Sequence, residues 1–187
     1  MGYIYVYTGN GAGKTTNALG LALRTVGHKQ KAIIIQFLKW WKNIGEYKVK
    51  EMLEPYYEIY QFGRPAWLNL EGEEEKEVEI NGQKIILKKK ENIDKKLCEE
   101  ALKFAKKKMM EEKPRLLVLD EINLAMHSGL LDVKKVLEFL KDIPENTSVV
   151  LTGRYAPKEI IEAADVVNEI VEVKFPKKMI TTEGIQY

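Results

Sequence analysis

Thr8-Gly9-Asn10-Gly11-Ala12-Gly13-Lys14-Thr15-Thr16 constrain this chain more than any other stretch. An alternating apolar segment over residues 3–8 runs straight into them. Residues 15–26 follow, with Ala18, Leu19, Ala22, Leu23 and Val26 at helical spacing and Gly27 placed to stop the helix. A strand, a glycine-rich turn and a helix in that order deliver the chain to a helix N-terminus at the edge of a sheet. Glycines at alternate positions let successive N–H groups curl toward one anion, and the helix start adds unpaired N–H groups and a positive dipole end. Lys14 supplies a mobile positive charge and Thr15 a hydroxyl for a magnesium ion. This is a Walker A loop in its required context, except that Thr8 stands where the usual pattern has glycine. A nucleoside triphosphate is the expected ligand.

Further strand signals cover residues 32–37, 58–62, 115–119, 148–152 and 166–174. Helical patterns cover residues 93–112 and 133–141, the latter after the N-cap residue Asp132, and Pro157 sits where a first-turn proline belongs. Alternating strands and helices predict an α/β, three-layer P-loop fold, with a mainly parallel central sheet and helices on both faces. Residues 77–90 break the alternation as two polar strands around Asn81-Gly82, a hairpin signal, after an acidic run over residues 71–75. No linker divides the chain, so residues 1–187 are expected to form one nucleotide-binding domain.

Composition excludes several classes. A net charge of +2 gives no long-range attraction to nucleic acid or membrane, and the lysine runs at 88–90 and 106–108 read as solvated faces. Cys98 is the only cysteine and shares a helical stripe with Leu97, Ala101, Leu102 and Ala105, so it reads as a core residue. His28 and His127 lack spaced partners for a histidine metal site. No signal peptide is read at the start, and no apolar run reaches the roughly 18 residues of a membrane span. A cytoplasmic location is expected.

Leu116-Leu117-Val118-Leu119-Asp120-Glu121 reads as a buried strand ending in carboxylates, as in a Walker B element. Ligands bind at the carboxyl ends of parallel strands, so Asp120 is expected in the magnesium shell and Glu121 on the metal or on a nucleophile. Thr152-Gly153-Arg154 also ends a strand, where Arg154 can reach phosphate oxygens with its planar fork of donors. Trp40-Trp41 and Phe62-Gly63-Arg64-Pro65-Ala66-Trp67 follow the second and third strands on the same side. Exposed aromatics there can bind a flat ligand, cap the core or form a dimer.

Taken in order, the loop 8–16, Gln36-Phe37-Leu38-Lys39, Leu119-Asp120-Glu121-Ile122-Asn123 and Leu151-Thr152-Gly153-Arg154 resemble the ATP:corrinoid adenosyltransferase family of the cobalamin pathway. The likeness continues through Ala156-Pro157, Glu159-Ile160 and Ala164-Asp165, so it spans nearly the whole chain. It implies transfer of the 5′-deoxyadenosyl group of ATP to the Co(I) of a reduced corrinoid, with release of triphosphate. It also implies that Asn10, Gly11, Gly13, Lys14, Thr15 and Thr16 hold the phosphates, that Thr15 and Glu121 hold magnesium, and that Phe62 and Trp67 displace the lower cobalt ligand. A homodimer and a flavoprotein reductant follow from the same likeness. The chain departs from many relatives at Ala12, where they carry lysine, in the 77–90 insert, and in a tail shortened before Glu183-Gly184-Ile185-Gln186-Tyr187. Some relatives carry an extra N-terminal segment that covers the site, whereas here the first strand is expected almost at Met1. The residues alone leave open an ordinary ATPase or kinase, and a nucleotide-dependent corrinoid-binding protein without turnover.

Overall fold

A computed structural model describes residues 2–80, 83–176 and 182–185. Its elements, in chain order, are β1 (Ile4–Thr8), α1 (Lys14–Gly27), β2 (Ala32–Phe37), α2 (Gly45–Lys48), β3 (Tyr57–Phe62), β4 (Lys76–Ile80) and β5 (Gln83–Leu87). They continue with α3 (Asn92–Glu112), β6 (Leu116–Asp120), α4 (Ile122–His127), α5 (Val133–Lys141), β7 (Ser148–Thr152), α6 (Lys158–Ala163) and β8 (Val166–Glu169). Six strands form the central sheet in the order β3-β2-β6-β7-β1-β8, and every neighbouring pair is parallel. The inner strands β2, β6 and β7 are buried at every position, as strands covered on both faces must be.

Side chains alternate between two cores because strand residues point to opposite faces. Ile33, Ile35, Leu117, Leu119 and Val149 pack with Cys98, Ala101, Ala105 and Met109 of α3 and with Val136 and Phe139 of α5. Ile34, Val118 and Val150 pack on the opposite face with Ala18 and Ala22 of α1 and with Tyr57 and Ile59. Cys98 is the core residue expected: burial pushes its thiol up to about 12, out of nucleophilic range. The α1 face has less cover. Among the described residues, the helical cover beyond α1 is the short α2 and the 3-10 turn Val49–Met52, and a cavity opens there, lined also by Gly184 and Ile185.

Three expectations change. The strand expected over 166–174 stops at Glu169: Ile170 still donates to the Thr8 carbonyl (2.8 Å), but its own carbonyl accepts from the Gly11 N–H (2.7 Å) of the glycine-rich loop. The insert is a hairpin of β4 and β5 paired antiparallel in a separate two-stranded sheet, starting at Lys76; its Asn81-Gly82 turn lies outside the described residues, as do Gln186 and Tyr187 of the tail. The short α2 and α4 were not anticipated, being too brief to show a helical period.

Candidate active site

The glycine-rich loop leaves β1 between β7 and β8. Thr8, at the position usually held by glycine, is buried, and its hydroxyl accepts a hydrogen bond from the Ala156 N–H (3.1 Å). That bond ties the loop to the turn after β7. Gly9 has φ 96, and a Cβ there would meet the Ile170 carbonyl oxygen at 2.4 Å, so only glycine fits. Helix α1 starts at Lys14 with no side-chain cap and no acidic residue in its first turn. Its leading N–H groups are therefore left to an anion, as at other helix starts that bind phosphate. Lys14 Nζ donates to the carbonyls of Gly9 (2.8 Å) and Gly11 (2.6 Å) and so lies across the loop. Burial, with Arg154 adding like charge, lowers the Lys14 pKa against the pull of Glu121. Gly11, expected among the phosphate donors, spends its N–H on Ile170.

Asp120 is fully buried, with all its acceptor sites in use. Oδ1 accepts from the hydroxyls of Thr15 (2.8 Å) and Thr152 (2.7 Å), and Oδ2 from Lys39 Nζ (2.8 Å) and Gln36 Nε2 (3.1 Å). Gln36 reaches it because β2 and β6 pair in register, Gln36 beside Asp120. Burial opposes ionisation, but the Lys39 charge and the hydrogen bonds of Lys39, Thr152 and Thr15 outweigh it and hold the Asp120 pKa down. Asp120 therefore orients its neighbours rather than presenting an open oxygen. Thr15, whose hydroxyl donates its hydrogen bond to Asp120, keeps oxygen lone pairs for a cation.

Glu121 sits in the left-handed region (φ 64), its N–H held by Thr152 Oγ1 (3.0 Å). Burial first, and the Asp120 charge second, raise its pKa. Among the described residues, no hydrogen bond or ion pair within 4 Å reaches its carboxylate. Ala12, Gly13, Lys14, Thr15 and Thr16 line one cavity of about 960 Å³ together with Lys39, Glu46 and Glu121. Its apolar wall comes from Leu19, Leu23, Val49, Leu53 and Tyr57. Among the described residues, no group of three or more His, Cys, Asp or Glu side chains converges as a metal cage. The Thr15 hydroxyl and the Glu121 carboxylate suit magnesium, a hard cation that takes few protein oxygens and completes its shell with water and phosphate.

Arg154, Phe62 and Trp67 stand outside the lining of that cavity. Arg154 pairs with Glu71 (3.3 Å), which also accepts from the Tyr155 hydroxyl (3.3 Å). Phe62 packs against Phe104 of α3, ring centroids 5.4 Å apart, and joins the core. Trp67 is half exposed and meets Trp40 edge to face at 5.0 Å. Arg64 fixes the intervening loop through Asp94 (2.8 Å) at the start of α3. Sequence reasoning gave no role to Lys39, although its motif was noted. The missing knowledge was that β2 lies beside β6.

The profile of the ATP:corrinoid adenosyltransferase BtuR/CobO/CobP family matches residues 1–187. The corrinoid adenosyltransferase of Escherichia coli K12 is 33% identical over 174 residues, covering 92% of this chain and 78% of that protein. Its counterpart from Sinorhizobium sp is 32% identical over 181 residues, covering 94% and 74%. The corrinoid adenosyltransferase CobA of Salmonella typhimurium is 31% identical over 189 residues, covering 100% of this chain and 86% of its own. With a glycine-rich strand-to-helix loop, a buried strand-end carboxylate and a parallel sheet in place, this chain belongs to the ATP:corrinoid adenosyltransferase family.

Proposed function

We propose that the chain transfers the 5′-deoxyadenosyl group of ATP to the Co(I) of a reduced corrinoid, releasing triphosphate, in the synthesis or salvage of adenosylcobalamin. The whole-chain family match carries this reading, and the cavity beside the glycine-rich loop supports it. Co(I) attacks the ribose C5′, the C5′–O bond breaks, and its electron pair leaves with the triphosphate. Co(I) is a strong nucleophile, so no side chain need act as general base. The protein's tasks are to position C5′ and to stabilise charge on the departing triphosphate.

In this reading the N–H groups at the start of α1, with Asn10, Gly13, Lys14, Thr15 and Thr16, hold the phosphates. Thr15 and Glu121 hold magnesium, which adds positive charge at the leaving group when bound; Asp120 acts through Thr15. Arg154, released from Glu71, adds a donor fork to the polyanion. Trp67 and Trp40 give the macrocycle a flat apolar face, and Phe62 backs that face from the core. A flavoprotein reductant, a homodimer and a cytoplasmic location complete the proposal.

An anaerobic assay with ATP, magnesium and Co(I) cobalamin tests it. Growth of the cobalt–carbon absorption with equimolar tripolyphosphate is expected. Release of ADP and phosphate without alkylation would favour an ATPase or kinase instead. Trp67→Ala is expected to raise the corrinoid KM about tenfold by removing a stacking surface, with the ATP Kd unchanged.

A further inference from the structure

Lys39 is aimed by two unusual features of the backbone. Leu38, directly after β2, adopts φ 63, a region that non-glycine residues rarely enter. Its N–H donates to the Phe62 carbonyl (2.9 Å), so the turn is held against the end of β3. The facing residue is Gly63, where a Cβ would lie 2.6 Å from the Leu38 carbonyl carbon and 2.7 Å from the Lys39 nitrogen. Any side chain there would push the turn away. The result is that Lys39 reaches back under the sheet end to Asp120 and into the cavity shared with Lys14 and Thr15.

Its donors are only partly used. An ammonium group carries three N–H bonds. Among the described residues, Lys39 Nζ makes one hydrogen bond, to Asp120 at 2.8 Å, while Glu46 at 3.9 Å is beyond hydrogen-bond reach. Asp120, for its part, keeps three neutral donors besides Lys39. Lys39 and Lys14 line the same cavity, Lys39 anchored on Asp120 and Lys14 on the loop carbonyls of Gly9 and Gly11.

We propose that Lys39 is a second phosphate-binding cation, bridging Asp120 and the triphosphate. The inference rests on the adenosyl-transfer reading, in which the whole triphosphate must be held as one leaving group. A polyanion that departs intact needs positive charge along its length, and Lys14 and Lys39, both lining the cavity, supply it.

Inorganic tripolyphosphate, titrated by calorimetry with magnesium present, is the probe. Lys39→Met is expected to bind it about tenfold or more weakly than the unaltered protein, the scale of one charge-assisted contact. Lys39→Arg, which keeps the charge, is expected to recover most of the loss. Equal affinity in Lys39→Met and the unaltered chain would overturn the proposal while leaving the adenosyl-transfer reading intact. Failure of the unaltered chain to bind tripolyphosphate would overturn both. Should Lys39→Met fail to fold, lysine-selective NMR of the unaltered protein decides. The Lys39 ammonium resonance must shift on saturation with tripolyphosphate, and a resonance that stays in place rejects the assignment.

Discussion

Two lysine–carboxylate clusters sit at opposite ends of β2 and β3, built from the same groups to different ends. At the amino end, Lys31 and Lys108 interlock with Glu58 and Glu112. Tyr60 adds a hydrogen bond to Glu58 (2.7 Å), so cations and anions match and every carboxylate is paired. At the carboxyl end, Glu121 and Glu46 share the cavity with Lys39 and Lys14, Asp120 sits beneath Lys39, and among the described residues Glu121 has no ion pair. The first cluster completes itself. Among the described residues, the second keeps a half-buried carboxylate in excess and a helix start without a cap, and an incoming polyanion with its cation would complete it.

Removing one lysine from each end should separate the two roles most sharply. Lys14→Ala is expected to lower kcat/KM for adenosyl transfer by about 10²–10³-fold, the scale of a lost electrostatic donor, with the melting temperature unchanged. Lys108→Met should do the reverse. Its cluster is partly exposed, so we expect a loss of about 1 kcal/mol in denaturant unfolding and full activity. If both variants lost activity equally, the distinction between the ends would collapse.

Glu121→Gln sharpens the comparison from the other side. Removing a half-buried charge that has no ion pair among the described residues is expected to stabilise the fold by about 1 kcal/mol while activity falls, a trade-off common at functional sites. A melting temperature lower than that of the unaltered chain would count against the idea that Glu121 is uncompensated.

The amino-end cluster also predicts a pH limb. Burial works against ionisation of Glu58, but hydrogen bonds from Lys108, Lys31 and Tyr60 outweigh it and hold its pKa at about 2. A carboxylate with a depressed folded pKa stabilises fully above its unfolded value, roughly 4.3, and loses that contribution as pH falls toward the folded value. Glu58→Gln should therefore flatten the fall in melting temperature between about pH 4 and 2. An unchanged acid limb would assign that loss to other groups. The smallest effect is expected at Glu71→Gln, which frees the exposed Arg154: under about 0.5 kcal/mol in stability, and less at high salt.

Much of the site could be read from sequence because its signals are local. The glycines, Lys14 and Thr15 lie within one turn of chain, and Asp120-Glu121 ends an unmistakably apolar strand. β2 and β7 were legible to the residue because inner parallel strands are uninterrupted apolar runs. What escaped depends on strand order. The cage around Asp120 draws Thr15, Gln36, Lys39 and Thr152 from separate elements, and only the order β2-β6-β7-β1 brings them together. Similarly, Ile170 ends β8 early through a contact with a loop far away in sequence, and Glu71 holds Arg154 from 83 residues away. Phe62 and Trp67 looked equivalent in sequence; packing against Phe104 draws one into the core and leaves the other at the surface.

Titration of folded protein with ATP in a calorimeter, with and without magnesium, tests the founding claim most directly. A single saturable site is expected, strengthened by magnesium and displaced by tripolyphosphate. The absence of any ATP uptake under either condition would contradict the assignment of the β1–α1 loop as a triphosphate site, and the chemistry built on it.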